Sequence, residues 1–314
     1  MKTRPNFTWK LRWALRLMSL LARLGVLPTP EAVARWPAAR RKALKSFGWM
    51  TYPSPTSVQT ARETIASADG PLELKWFRTT ATQAPAILFI HGGGWVVGGV
   101  DSLDYLCANL CDRLGVAVVA VDYRLAPDHR FPAALEDCYD ALSWIAARST
   151  GPVLVIGDSA GGNLAGALCL LARDRGGPAI AHQTLVYPSL DAAMESPSMS
   201  QPHPGMARAD MALALQHYLG DHDRYDPLAS PIHARDHRGL PPAFIVTAEH
   251  DLLRDDGPRY ADCLRNAGVA VRYVNYPDMP HGFLSQPKLC PGAPGALADI
   301  VEEMRPYLRA VSAP

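Results

Sequence analysis

The six residues Gly157-Asp158-Ser159-Ala160-Gly161-Gly162 join the apolar run Val153-Leu154-Val155-Ile156 directly to a helix-like stretch at 163–171. A strand that turns straight into a helix within six residues commits the chain to an α/β arrangement. The serine on that corner is held in a strained backbone with its hydroxyl above the sheet. Gly157 and Gly161 on either side let neighbouring backbone pass close by. A bare G-x-S-x-G arises by chance in roughly one chain in ten of this composition. The context must therefore decide what the serine does.

That context is repetitive. Apolar runs at 72–77, 86–90, 116–121, 153–156, 184–187, 244–247 and 271–276 alternate with helical stretches near 101–114, 132–147, 160–174, 256–267 and 295–310. Such alternation predicts a mostly parallel central sheet flanked by helices. The interval 191–230, with a short helix around 210–219, is too long for a simple crossover and reads as an insertion above the sheet. No internal repeat or low-complexity tract interrupts the pattern.

The 314 residues, 48% hydrophobic and 19% charged, suit one large soluble domain with additions. A net charge of +1 hides an asymmetry: residues 1–50 hold eleven Lys and Arg against one acid, Glu31, so they carry +10 and the remainder −9. Docking of this basic segment on the acidic remainder, or on a partner subunit of a homo-oligomer, is the first expectation. It ranks ahead of anionic lipid, and no nucleic-acid partner is expected. Within the segment, residues 9–25 read as an amphipathic helix. Arg12, Arg16, Ser19 and Arg23 form a narrow polar stripe and leucines fill most of the rest. Peripheral membrane contact through this helix is the less favoured use. The same arginines cut the apolar stretch too short for a secretory signal, and no segment is long enough to span a membrane. Six cysteines without C-x-x-C spacing read as buried free thiols. The default expectation is a cytoplasmic protein.

Ligands of an open parallel sheet bind at the carboxyl ends of its strands, so reactive groups should follow the apolar runs. Ser159 does. A serine hydroxyl is a poor nucleophile without a base to take its proton and an acid to orient that base. His281 follows the run 271–276 through a short loop and is the candidate base. Glu249 and Asp251 both follow the run 244–247. Asp251 is preferred because it opens the turn Asp251-Leu252-Leu253-Arg254-Asp255 that leaves the sheet. After the run 86–90 comes His91-Gly92-Gly93-Gly94-Trp95, whose consecutive glycines allow backbone N–H groups to converge on a negative oxygen. The amide of Ala160 would add a further donor. His233 and His237 lack the glutamate of H-E-x-x-H, and no metal site is expected there.

In these motifs, together with Asp122-Tyr123-Arg124-Leu125-Ala126-Pro127-Asp128 and His281-Gly282-Phe283, the chain resembles the bacterial hormone-sensitive-lipase-like esterases of the α/β-hydrolase superfamily over residues 72–310. The resemblance implies an α/β-hydrolase fold and a catalytic triad of Ser159, Asp251 and His281. It also implies an oxyanion hole of the Gly93, Gly94 and Ala160 amides. No metal or organic cofactor is needed. It further implies an N-terminal helical cap segment at 1–70 and a catalytic domain at 71–314 with a cap insertion at about 191–230. Trp95, Asp158 and Tyr187 are the candidate substrate contacts. Two positions depart from the family pattern: Leu252 stands where proline is common, and Asp128 where glutamate is common. The expected reaction is hydrolysis of small carboxylic esters with short to medium acyl chains. An amidase, a small-molecule deacylase, a long-chain lipase and a non-catalytic receptor on the same fold are the alternatives.

Overall fold

The computed structural model of the chain describes residues 7–24, 29–42, 50–81 and 84–309. Some expectations therefore lie outside the described residues: the cations Lys2, Arg4 and Lys45 and the last residue of the expected 295–310 helix. Eight strands form one sheet: β1 (Gln59–Ser67), β2 (Gly70–Arg78), β3 (Pro85–Ile90), β4 (Ala117–Val121), β5 (Val153–Asp158), β6 (Ile180–Val186), β7 (Ala243–His250) and β8 (Val271–Pro280). Their spatial order is β1-β2-β4-β3-β5-β6-β7-β8. β1 and β2 are antiparallel neighbours and β2 runs antiparallel to β4, while every pairing from β4 to β8 is parallel. This is the α/β-hydrolase arrangement expected from the sequence.

The period-two pleat divides the central strands between two cores. Leu88, Ile90, Val119 and Val155 face α5 (Ala133–Ala146) and α6 (Ala160–Asp174). Ile87, Phe89, Val118 and Leu154 face α4 (Asp104–Leu114) and α9 (Ala293–Arg309) on the other side. All eight side chains are at most 1% exposed, as strands covered on both faces must be. α8 (Asp256–Asn266) joins the first layer, beside β7 and β8.

Strand β1 corrects the reading of 1–70 as helical. Its burial pattern shows Ile65 as the one buried side chain among mostly exposed neighbours such as Arg62 and Glu63. This edge strand packs one face, through Ala61 and Ile65, and leaves the other to solvent, while charged side chains blunt its free edge. It therefore carries no apolar run for periodicity to detect.

The N-terminal helices are α1 (Trp9–Arg23), α2 (Pro30–Ala34) and α3 (Ala38–Lys42). Phe7, Leu11 and Ala14 are buried against the α4–α9 side, and the Thr8 hydroxyl donates to the Leu289 carbonyl (3.3 Å). Arg41 is wholly buried: its guanidinium donates to the carbonyls of Val96 (2.8 Å) and Ala126 and pairs with Asp128. Lys42 pairs with Asp122. Two cations of the basic segment thus dock on acids of the chain's own body. The insertion carries α7 (Arg208–Leu219), which packs on α2. None of the six cysteines forms a disulfide; five are buried and Cys263 is half-buried. Among the described residues, no helix is long and apolar enough to cross a membrane.

Candidate active site

Five parallel strands, β3, β5, β6, β7 and β8, end at one edge of the sheet, and the next residues in the chain are His91, Ser159, Tyr187, Asp251 and His281. Ser159 caps α6 with φ 55° and ψ −118°, a left-handed backbone for a residue with a Cβ. Its amide donates to the Val186 carbonyl (2.9 Å) and its carbonyl accepts from the Asn163 amide (3.1 Å), so the corner is held from both sides. The turn is too tight for side chains at its flanks. A Cβ on Gly157 would lie 2.1 Å from the Gly161 carbonyl oxygen, and one on Gly161 would lie 2.0 Å from that of Ile90.

The corner projects the Ser159 Oγ to 2.9 Å from His281 Nε2, and His281 Nδ1 lies 2.7 Å from Asp251 Oδ2. The other Asp251 oxygen accepts from the Leu253 amide (2.9 Å), and the side chain is fully buried. Burial works against a charged His281, but the charge and hydrogen bond of Asp251, helped by Asp158, outweigh it and raise its pKa above the ordinary value. Glu249, the other carboxylate considered, points elsewhere: it accepts from Arg254 (3.1 Å) and from Asn275 (2.5 Å).

The glycine loop is gripped along its length. Asp158 Oδ1 accepts from the Gly92 amide (2.7 Å), and the Tyr123 hydroxyl donates to the His91 carbonyl (2.8 Å). The His91 ring stacks on Tyr123 at 4.1 Å, and burial pushes its pKa down to about 4, so it is neutral. Gly93 has φ +123°, and a Cβ there would sit 2.0 Å from the Val97 carbonyl oxygen. Trp95, at φ 60°, stacks face to face on Tyr218 of α7, 4.5 Å between centroids. Arg41 fastens the loop's far end at Val96.

Together these elements enclose a cavity of about 320 Å³ lined by Gly93, Gly94, Ala160, Ser159 and His281 below and by Met206, Asp210, Met211 and Ala214 above. Trp95 and Asp158 also border it. Asp158 does so mainly as an anchor for Gly92, and burial raises its carboxyl to about 6 against the lowering pull of Gly92 and His281. Tyr187 does not border it. Its ring is buried behind His281, 4.9 Å away edge-on, and against Phe283, so its position is that of a support rather than a substrate contact.

Sequence reasoning missed the upper wall and Arg41. Met206, Asp210, Met211 and Ala214 reach the cavity only because the insertion folds back, which no local pattern encodes. Arg41 is one cation among eleven in its segment. The Asp122-Tyr123-Arg124 stretch supports rather than reacts: Asp122 pairs with Lys42, Tyr123 holds His91, and Arg124 pairs with Asp137 and Asp69. Asp191, Glu195 and His233 offer ligand-type atoms within 4.8 Å of one another. Arg259 already pairs with that Asp191, which leaves little negative charge for a cation.

Residues 87–285 match the model of a family described as alpha/beta hydrolase fold. Carboxylesterase NlhH of Mycobacterium tuberculosis is 40% identical over 238 residues, covering 72% of this chain and 74% of its own. The ethyl acetate hydrolase of Pseudomonas putida is 37% identical over 238 residues, covering 73% and 75%. Among solved structures, an alpha/beta hydrolase enzyme from the metagenome of Lake Arreo, Spain, superposes with a TM-score of 0.84 at 32% identity, covering 97% of this chain and 99% of that one. The hyperthermophilic esterase of Pyrobaculum calidifontis gives a TM-score of 0.77 at 36% identity, covering 81% and 87%. The chain belongs to the α/β-hydrolase fold family, in its hormone-sensitive-lipase-like branch.

Proposed function

We propose that this α/β hydrolase, a carboxylic ester hydrolase, cleaves small esters of short to medium acyl chain through an acyl-enzyme on Ser159. The carrying observation is the unbroken chain of hydrogen bonds from Ser159 Oγ through the His281 ring to Asp251. Ser159 Oγ attacks the ester carbonyl carbon as its proton passes to His281 Nε2, while Asp251 holds the ring and stabilises the imidazolium. The carbonyl oxygen takes the negative charge and is held by the amides of Gly93, Gly94 and Ala160. His281 then gives its proton to the departing alkoxide, leaving acyl-Ser159. Water attacks that ester, its proton goes to His281 Nε2, and the carboxylic acid leaves as Ser159 regains a proton.

A cavity of about 320 Å³ under methionine side chains suits an apolar acyl group of modest length. Helices α1 to α3 and the 191–230 insertion act as the cap over the catalytic domain, whose sheet begins with β1 at 59–67. The test is a p-nitrophenyl ester series of increasing chain length on the wild type and Ser159→Ala, with covalent labelling by a serine-directed phosphonate. Loss of turnover on the order of 10⁵ or more in Ser159→Ala, with loss of labelling, is expected. Full activity in that variant would sink the reading, and equal turnover of matched anilides would turn it towards an amidase.

A further inference from the structure

Six large apolar side chains are strongly exposed among the described residues; Trp9 (75%), Trp13 (60%) and Leu20 (52%) lie on α1, and Leu24 (66%) directly follows it, its amide bonded to the Leu20 carbonyl (3.0 Å). Their spacing of four, seven and four residues puts them in one stripe along the helix. The opposite side is spent on the protein, where Phe7, Leu11 and Ala14 are buried. Leu15 on that inner side reaches Gly205, the neighbour of the cavity-lining Met206. The outer stripe is bordered by exposed cations, Lys10 on one side and Arg12 and Arg16 on the other. The helix sequence WKLRWALRLMSLLAR contains no acid.

We propose that the outer face of α1 docks on an anionic lipid surface, lying in the plane of the interface beside the cavity. Tryptophan and leucine enter the headgroup boundary, where an indole places its apolar body in the acyl region and its N–H among polar groups. The flanking cations meet lipid phosphate. A second copy of the chain fits this face less well. A two-fold pairing of α1 with itself would press one cationic rim against another with no acid on the helix to offset it. The charge pattern therefore selects a negatively charged, laterally extended partner.

The measurement is co-sedimentation of the full chain with phosphatidylcholine vesicles, with and without phosphatidylglycerol, and needs no substrate. Its failure is therefore distinguishable from failure of the ester-hydrolase reading. Binding is expected with phosphatidylglycerol and to weaken as salt rises. Trp9→Ser with Trp13→Ser should weaken it on the order of tenfold or more. Lys10→Gln with Arg16→Gln should weaken it by a similar factor. Both double variants should keep the wild-type unfolding temperature, since all four side chains are exposed. Absence of binding to phosphatidylglycerol vesicles would overturn the proposal, as would binding that survives both double variants. So would sedimentation velocity showing a dimer that Trp9→Ser with Trp13→Ser dissociates, because a second copy would then cover the face.

Discussion

The lower and upper walls of the cavity are built on different physical terms. Below, Ser159, His281, Asp251 and the glycine loop stand at strand ends, and each is fixed by short hydrogen bonds or by a backbone that tolerates no alternative. Above, Met206, Asp210, Met211 and Ala214 come from an insertion and meet the cavity through side-chain packing alone. A wall fixed by backbone geometry should fail sharply when altered by one atom. A wall fixed by packing should change its preference and keep its rate. The first kind does chemistry and the second selects what reaches it.

The sharpest break should come from the orienting acid. Asp251→Asn keeps the shape but no longer favours the tautomer with the proton on Nδ1, and activity should fall on the order of 10⁴. Glu249→Gln, whose side chain is bound to Arg254 and Asn275, should stay within a few-fold of wild type. Equal losses in the two would show that the lower wall is not specified by the Asp251–His281 contact.

Gly93→Ala comes next. Its Cβ would lie 2.0 Å from the Val97 carbonyl oxygen, so the loop must shift and its amides with it. A loss of about 10² to 10³ in kcat is expected, the size of one oxyanion donor. Gly115→Ala is the control. It also replaces a positive-φ glycine, φ +69°, but a Cβ there meets nothing within 4 Å and the residue ends α4 far from the chemistry in sequence. It should lower stability by about 1 kcal/mol and leave kcat alone.

The lower wall was legible in the sequence for the same reason that it is brittle. Consecutive glycines, a serine between glycines, and a histidine and an aspartate after apolar runs are local signs of backbone demands at strand ends. The central strands β3 to β7 were legible because burial on both faces leaves continuous apolar runs. Strand β1 was not, because Ile65 is its one buried side chain and its other residues are mostly exposed. Nor were Arg41 and the stack of Trp95 on Tyr218, since each joins residues far apart in the chain and the partner is set by tertiary packing. Tyr187 was assigned to substrate from its place after a strand. The structure puts its ring behind His281, a distinction that depends on side-chain direction.

The charge on Asp158 should be visible in the pH profile of the reaction. His281 must be neutral to accept the Ser159 proton, and its pKa is raised above 6.5, so kcat/KM should fall as pH drops through a midpoint above that value. The charge of Asp158 contributes to that raising. Asp158→Asn removes the charge but leaves an amide oxygen for Gly92. It should therefore shift the acid limb to lower pH by a few tenths to about one unit, with kcat reduced less than about tenfold. A shift to higher pH, read from kcat/KM profiles of both proteins, would contradict the assigned sign. Wild-type activity that stays flat from acid to neutral pH would remove His281 from the role of base.

The smallest effect on rate should come from the upper wall. Met206 is half-buried and lines the cavity from the insertion. Met206→Ala should leave kcat for p-nitrophenyl acetate within about threefold while raising the hexanoate-to-acetate ratio of kcat/KM on the order of tenfold. One or two methylenes of extra room are worth about 1–3 kcal/mol in an apolar pocket, and that difference appears only for an acyl chain long enough to use the room. If acetate turnover instead falls as far as in Gly93→Ala, the insertion is helping to hold the oxyanion loop. Ala214 is the contact through which it would do so, because its Cβ lies 3.2 Å from the position of a Cβ on Gly94. The two walls would then form one mechanical unit, and selection and catalysis could not be varied separately.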